Sequence, residues 1–509
     1  MRNKILLTIT TVFVLGSSCN ENVLDKDTNP SQLITETFYK NEPQAVAAIN
    51  SVYAGLQAND LYNREYFFVH DLLSDDCSSG GPQLEAPRGQ ILNHVFDASN
   101  PLVNSVWRGL YRMVHRSNLV IENVPKADDV LVSPALKARI EGEARFLRAW
   151  AFFELVSLWG RVPLMTKVAS TPGENMGRSA SEDEVYAVIF EDLNTAIANL
   201  PLNYTGADLG RATKGAAQAL AARIHMFRGN YAEARPLLNA VITSGQYSLI
   251  PNFLDNFRED NEFNSESVFE VQFTEAFGDA GAWNADGSDI AEVTFRGQEY
   301  GPNAWRNVIP SASLVAEFER VANGAAKDDP RRADSFYYIG DKFNNDQNTL
   351  TNTDVQGNVN IPSWKKYQMI YKRTTENSRS GINFRVIRYA DVLLMMAECE
   401  NELTGPAAAL PYINQVRART SVAMPAYPTA QYPANTKEEM FRAIVHERRV
   451  ELGGEQIRNR DIRRWRKQNK LTTEPIAGFQ VNKHELLPIP LAEIDNNSQL
   501  ENSDQNPGY

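Results

Sequence analysis

Cysteine is nearly absent from this 509-residue chain, which has three, Cys19, Cys77 and Cys399. So few argue against a disulfide framework, and the fold must hold by packing. Cys77 and Cys399 are the pair left once Cys19 is set apart, and Cys399 sits in an apolar helical pattern that reads as a buried thiol. Histidine is also scarce. The six, His70, His94, His115, His225, His446 and His484, show no H-x-x-x-H or clustered spacing, which argues against a zinc site. No Gly-x-Ser-x-Gly elbow, P-loop or dinucleotide fingerprint occurs, so the corresponding hydrolase and nucleotide chemistries have no support. Positive charge is in deficit: 51 Lys and Arg against 63 Asp and Glu leave a net charge of −12. That balance disfavours nucleic acid and anionic membrane surfaces and fits a neutral or cationic ligand.

Long apolar runs are missing as well, apart from residues 5–15. Arg2 and Lys4 precede that run, and Gly16, Ser17, Ser18 and Cys19 follow it. A basic start, an apolar stretch too short to span a bilayer and a small-residue cleavage site make a signal peptide over residues 1–18. A cysteine directly after the small residues points to a bacterial lipoprotein, with Cys19 as its lipidated first residue. The usual leucine lies three before the cysteine, whereas Leu15 lies four before Cys19. Residues 19–40 read as a polar tether. Removing the signal takes away two positive charges and no negative ones, so the mature chain is more acidic still.

What the chain has in quantity is helix. With 43% hydrophobic residues it can build a large core, and small residues recur on the faces of paired helical segments. The clearest pair covers residues 214–244: Ala217, Leu220, Ala221, Ile224 and Phe227, a turn at Gly229-Asn230-Tyr231, then Ala234, Leu237, Leu238, Val241 and Ile242. This is the pattern of tetratricopeptide-like pairs. Others are read over residues 389–419, over 106–124 with 136–159, and more loosely over 42–58 with 183–200, about four unevenly spaced pairs in all. The predicted class is mainly α, one domain over residues 41–509. Helix-pair scaffold fills 41–250 and 385–470, a loop-rich subregion with short strands (a candidate at 268–273) fills 251–384, and a wrapping coil fills 471–509.

Residues 445–465, V-H-E-R-R-V-E-L-G-G-E-Q-I-R-N-R-D-I-R-R-W, are the most charged stretch. Thr436 and Glu439 have capping-box spacing and start the helix that leads into it. Arg448, Arg449, Arg463 and Arg464 with Glu447, Glu451 and Asp461 suit either a solvated helix or bidentate clamps between segments.

In order along the chain stand Trp107 with Tyr111 and Asn118; E-A-R-F-L-R-A-W ending at Trp150; L-W-G-R-V-P ending at Pro163; and A-A-R from Ala221. These are followed by D-P-R ending at Arg331, R-Y-A-D-V-L-L from Arg388, N-Q-V-R ending at Arg417, P-I-P ending at Pro490, and N-P-G-Y ending at Tyr509. Together with the charged block, these pieces resemble the SusD/RagB family of outer-membrane lipoproteins of Bacteroidetes. The resemblance implies a SusD-like fold and a non-catalytic role, with no cofactor: capture of glycans at the cell surface and delivery to a SusC-like TonB-dependent transporter. It implies a helical scaffold that carries the partner contact and variable loops that hold the ligand, so it transfers no individual sugar contact.

Sugar capture needs aromatic faces and planar polar groups. Trp107, Trp150, Trp159 and Trp465 fall inside scaffold motifs and read as packing, and Trp364 is open to either role. Trp283 and Trp305, with Phe295 and Tyr300, share one loop-rich stretch with Asp286, Asp289, Arg296, Gln298 and Asn303, and make the best platform candidate. The alternative there is a loop packed down by its own aromatics. Asp75, Asp76 and Arg88, flanking a glycine turn, form a second candidate, against ordinary turn chemistry. Asp286 to Asp289 hints at calcium without the full ligand ladder. A surface glycoside hydrolase and an oligopeptide binder stand as alternative functions. Replacing Cys19 by Ala is expected to move the protein from the membrane fraction to the soluble one. Continued membrane association without incorporation of labelled lipid would refute the anchor.

Overall fold

The computed structural model describes residues 38–81, 83–171, 173–284, 292–357 and 360–509. Cys19, the signal segment and nearly all of the tether lie outside the described residues, as do Asp286 and Asp289. Helices of ten or more residues are α1 (Glu42–Leu56), α2 (Pro101–Asn123), α3 (Pro134–Trp159), α4 (Glu182–Asn199), α5 (Lys214–Phe227), α6 (Tyr231–Thr243), α7 (Tyr389–Leu403), α8 (Pro406–Arg417), α9 (Lys437–Leu452) and α10 (Arg458–Lys467). Their starts are written locally. Asn41, Asn100, Ser181 and Thr213 each accept an amide hydrogen bond from the first turn of α1, α2, α4 and α5. Thr436 and Glu439 close the capping box of α9.

From α2 to α8 each helix packs on the next. Three of the expected pairs are present as α2/α3, α5/α6 and α7/α8. The fourth is not a pair: α1 lies against α2 and α3, and α4 sits between α3 and α5. Its two halves share an amphipathic pattern, but a pattern alone does not name its partner. Strands are few and short, in four two-stranded antiparallel sheets among the described residues. Cys77–Ser79 (β1) pairs with Val308–Pro310 (β3), and Ser267–Val271 (β2) pairs with Phe384–Arg388 (β8). Phe336–Tyr337 (β4) pairs with Ser363–Trp364 (β7). Lys342–Phe343 (β5) and Asn348–Thr349 (β6) close a hairpin inside the stretch that reads as loop. Cys77 and Cys399 are buried free thiols.

Trp150, Trp159, Trp364 and Trp465 are at most 2% exposed, and Trp107 is buried with them. Residues 471–509 wrap the surface mostly as coil, with one short helix, Leu491–Asn496. Trp159 Nε1 donates to Pro488 O at 2.9 Å, and Asn506 Nδ2 donates to Trp159 O at 2.9 Å, so the wrapping coil is tied to the end of α3. No helix among the described residues is long and apolar enough to cross a membrane.

The charged block is buried. Glu447, Arg448 and Glu451 on α9, and Asp461 and Arg464 on α10, are shielded from water and joined to distant groups. Arg448 meets Asp461 at 2.7 Å and Asp391 at 2.8 Å, and Arg464 meets Glu398 at 2.6 Å. Arg463 differs from the expectation: it donates to the carbonyls of Ser157, Leu158 and Glu485 and pairs with no carboxylate among the described residues. Burial pulls its guanidinium down to about 10, with Arg466 adding to the effect. Between α9 and α10 the chain turns at Gly454, where φ is +78° and a Cβ would stand 2.6 Å from the Trp364 ring. Only glycine fits that joint.

Ala221 is 3% exposed within the α5 packing face, while Ala280 is exposed in the loop. Ala221→Leu should lower stability by about 1–3 kcal/mol through overpacking, whereas the same change at Ala280 should leave the melting temperature unchanged. Equal melting shifts for the two would refute this division of scaffold from loop.

Candidate functional site

The β1–β3 ladder brings the two candidate loops side by side. Gly80 N donates to Asn307 O at 3.0 Å, and a Cβ on Gly80 would stand 1.7 Å from Arg306 O. That close approach requires glycine and fixes the end of β1 against the strand that follows Trp305.

Trp283 lies on the single turn Ala282–Asn284 and is 42% exposed. Its ring stands 4.0 Å from Phe295 and 5.7 Å from Trp305, centroid to centroid, the two indoles inclined by 33°. Asn59 Nδ2 donates to Trp283 O at 3.0 Å. Trp305 is half-buried; its amide donates to Gln298 O at 3.0 Å, and Gln356 Nε2 donates to its carbonyl at 3.0 Å. Two indoles are thus held near each other with part of their surface open.

Beneath them lies a layer of paired charge. The Arg64 guanidinium sits 4.9 Å from the Trp283 ring centre and pairs with Glu299 at 2.5 Å and Glu85 at 3.0 Å. Arg88 pairs with Glu65 at 2.8 Å and Glu85 at 2.7 Å while covering Phe68. Burial raises the Glu65 carboxyl above its ordinary value, opposed by Arg88 and Arg64. Glu85 is the exposed member; against the pull of partial burial, Arg88 and Arg64 hold its carboxyl below the ordinary range.

A third layer is deeper. Tyr300 Oη donates to Asp71 Oδ2 at 2.8 Å, Gln456 Nε2 donates to the same oxygen at 2.8 Å, and Arg296 pairs with it at 3.3 Å. Arg296 also donates to Gly454 O at 2.6 Å, which ties the platform to the glycine joint of the charged block. Burial raises Asp71, with Arg296 pulling the other way.

The structure therefore sorts the predicted residues. Trp283 is exposed, and Trp305 is half-buried beside it. Phe295 and Tyr300 are both fully buried, Phe295 as the floor under Trp283 and Tyr300 in the Asp71 layer. Asp75 and Asp76 are turned inward. Asp75 pairs with Arg458 at 2.7 Å and with Arg449 at 3.1 Å, and Asp76 pairs with Arg449 at 2.8 Å. Burial raises the Asp76 carboxyl against the pull of Arg449. Arg88 is 3% exposed and committed to Glu65 and Glu85. Asp75 and Asp76 fasten the platform to α9 and α10 through partners remote in sequence, and Arg88 ties α-helical Glu65 to the loop at Glu85. The residue missed in the sequence is Arg64, which joins both candidate loops. Its signal was an Arg-Glu pair set inside the aromatic run Tyr62, Tyr66, Phe67 and Phe68.

A family model described as the SusD family matches residues 265–509, and one described as starch-binding associating with outer membrane matches residues 24–226. A SusD-like protein of Formosa agariphila is 30% identical over 539 residues, covering 99% of this chain and 100% of that protein. The chain belongs to the SusD family. Its SusD fold superposes on a SusD superfamily protein from Bacteroides vulgatus with a TM-score of 0.77 at 25% identity, covering 93% of this chain and 100% of that one. A laminarin-binding SusD-like protein superposes with a TM-score of 0.76 at 26% identity, covering 92% and 100%.

Arg64→Met should leave the fully buried Glu299 without its cation, lowering stability by about 3–5 kcal/mol and shifting indole emission to the red as Trp283 loses its brace. An unchanged melting temperature and spectrum would show that Arg64 does not hold the platform.

Proposed function

We propose that this SusD-family chain is a non-catalytic, surface-anchored glycan-binding lipoprotein. It holds oligo- or polysaccharide on the Trp283–Trp305 pair and passes it to a SusC-like TonB-dependent transporter, with Cys19 carrying the lipid. The observation that carries this reading is the pair of partly open indoles, braced from below by Arg64 and flanked by Gln356 and Glu85. Flat faces take the apolar side of a pyranose, and amide and carboxylate groups at the rim take its hydroxyls. The laminarin-binding relative adds support for a glycan ligand. Binding without cleavage is supported, among the described residues, by the ion pairs of the carboxylates beside the rings: Glu65, Glu85 and Glu299 are each tied to a guanidinium. The apolar run of residues 5–15 with the small residues and Cys19 that follow it, and the family model associated with the outer membrane, support the location.

Affinity electrophoresis against a polysaccharide panel that includes laminarin, with peptides as control, tests the ligand class. Long incubation should release no reducing ends. Stacking is worth on the order of 1 kcal/mol per ring, so the double variant Trp283→Ala, Trp305→Ala should lose about tenfold or more in retention while its melting temperature stays nearly constant. Retention that survives, or that falls only together with folding, would place the site elsewhere.

A further inference from the structure

A groove of about 520 Å³ runs beside the platform, between the exposed face of α1 and strand β2. Its size lies within the ordinary range of ligand pockets, roughly 300–1,000 Å³. Three side-chain amides line it, each anchored at one end only. Arg211 donates to Asn50 Oδ1 at 2.8 Å, which leaves the Asn50 amide nitrogen without a partner among the described residues. Gln57 Nε2 donates to Gln272 O at 2.8 Å, and Gln272 Nε2 donates to Leu209 O at 3.4 Å, which leaves both amide oxygens without a partner among the described residues. An amide fixed at one end and open at the other is a recognition group whose ordering is complete before a ligand arrives. The cation that lines the groove, Arg211, is engaged by Glu143 at 3.0 Å and Asp208 at 2.7 Å, and Glu270, also at the wall, turns its carboxylate inward to Arg385 at 3.3 Å. An anionic ligand finds no uncommitted positive charge there, whereas hydroxyl groups find both donors and acceptors.

The groove adjoins the aromatic pair. Gln57 lies two residues before Asn59, whose side chain holds the backbone of Trp283. Glu292, three residues before Phe295, lines the groove as well.

We propose that this groove is a second subsite, which takes a neutral, hydroxyl-rich segment of the same glycan chain that the tryptophan pair holds. The inference rests on the platform reading and extends it: the ligand is a chain long enough to engage both places, and the groove recognises it by hydrogen bonds instead of stacking.

Calorimetry with matched trisaccharides and hexasaccharides of β-1,3-glucan, β-1,4-glucan, α-1,4-glucan, xylan and mannan tests it. Two or three added hydrogen bonds should make a hexasaccharide bind about tenfold more tightly than its trisaccharide. Asn50 and Ala47 are exposed on α1, and Gln57 follows its last turn. The double variant Asn50→Ala, Gln57→Ala, and separately the blocking variant Ala47→Trp, should each remove that gain and leave trisaccharide affinity and melting temperature unchanged. If trisaccharides bind and hexasaccharides bind no tighter, or if the gain survives in both variants, the groove is not a subsite and the platform reading stands. If no sugar of the panel binds the wild-type protein, both ideas fall. A neutral hexapeptide that binds more tightly than every hexasaccharide, and is lost with Ala47→Trp, overturns the glycan assignment of the groove.

Discussion

One carboxylate, Glu451, receives three guanidinium groups. Arg388 reaches it at 2.7 Å from the end of β8, Arg419 at 2.8 Å from just beyond α8, and Arg331 at 2.9 Å from the turn after Pro330. Glu266 is shared by Arg388 and Arg419, and Glu447 by Arg331 and Arg417. Each side chain is almost wholly shielded from water. Burial works against ionisation of Glu451, yet Arg419, Arg388 and Arg331 hold its carboxyl well below the ordinary range. Removing such ions from water costs several kcal/mol apiece, and full partnering is what offsets it. The arrangement fixes α9, α9 fixes the glycine joint, and the joint meets Arg296 and Gln456 under the aromatic platform. Positioning of the aromatic platform is therefore inherited from a buried charge cluster.

Much of the scaffold is legible in sequence because helical period, small residues and caps are local. The Thr436–Glu439 box, three helix pairs and the buried scaffold tryptophans can all be read from spacing. Partners are not local. Glu451 meets residues 32, 63 and 120 positions away, so spacing alone leaves a solvated helix and a clamp equally open. The same limit misleads at Asp75 and Asp76, which have the composition of a ligand turn but find Arg458 and Arg449 more than 370 positions away. Within the platform, loop position singles out Trp283 and Trp305. It says nothing of which neighbouring ring lies beneath them, and Phe295 and Tyr300 are beneath. Arg64 escapes notice because one Arg-Glu pair among aromatics has no periodicity to mark it.

In the proposed reading, the platform and the groove divide recognition between two kinds of contact. The rings offer faces that are largely indifferent to the pattern of hydroxyls on a sugar. Amides anchored at one end are directional and reward a particular arrangement. A surface that combines them can grip many chains weakly and a matching chain well. The exposed Glu85 and the saturated Arg211 give both places an acidic or neutral character, in keeping with the charge of the whole protein.

The carboxylate cluster also bears on how the fold comes apart. Its members come from segments around positions 266, 331, 388, 419 and 451, and no subset of them is electrically complete. Peeling away any one segment strands charge in an apolar interior, so partial opening is heavily penalised until water reaches the whole cluster. The described body should accordingly denature as a single cooperative unit, with neither the helical half nor the loop-rich half persisting alone.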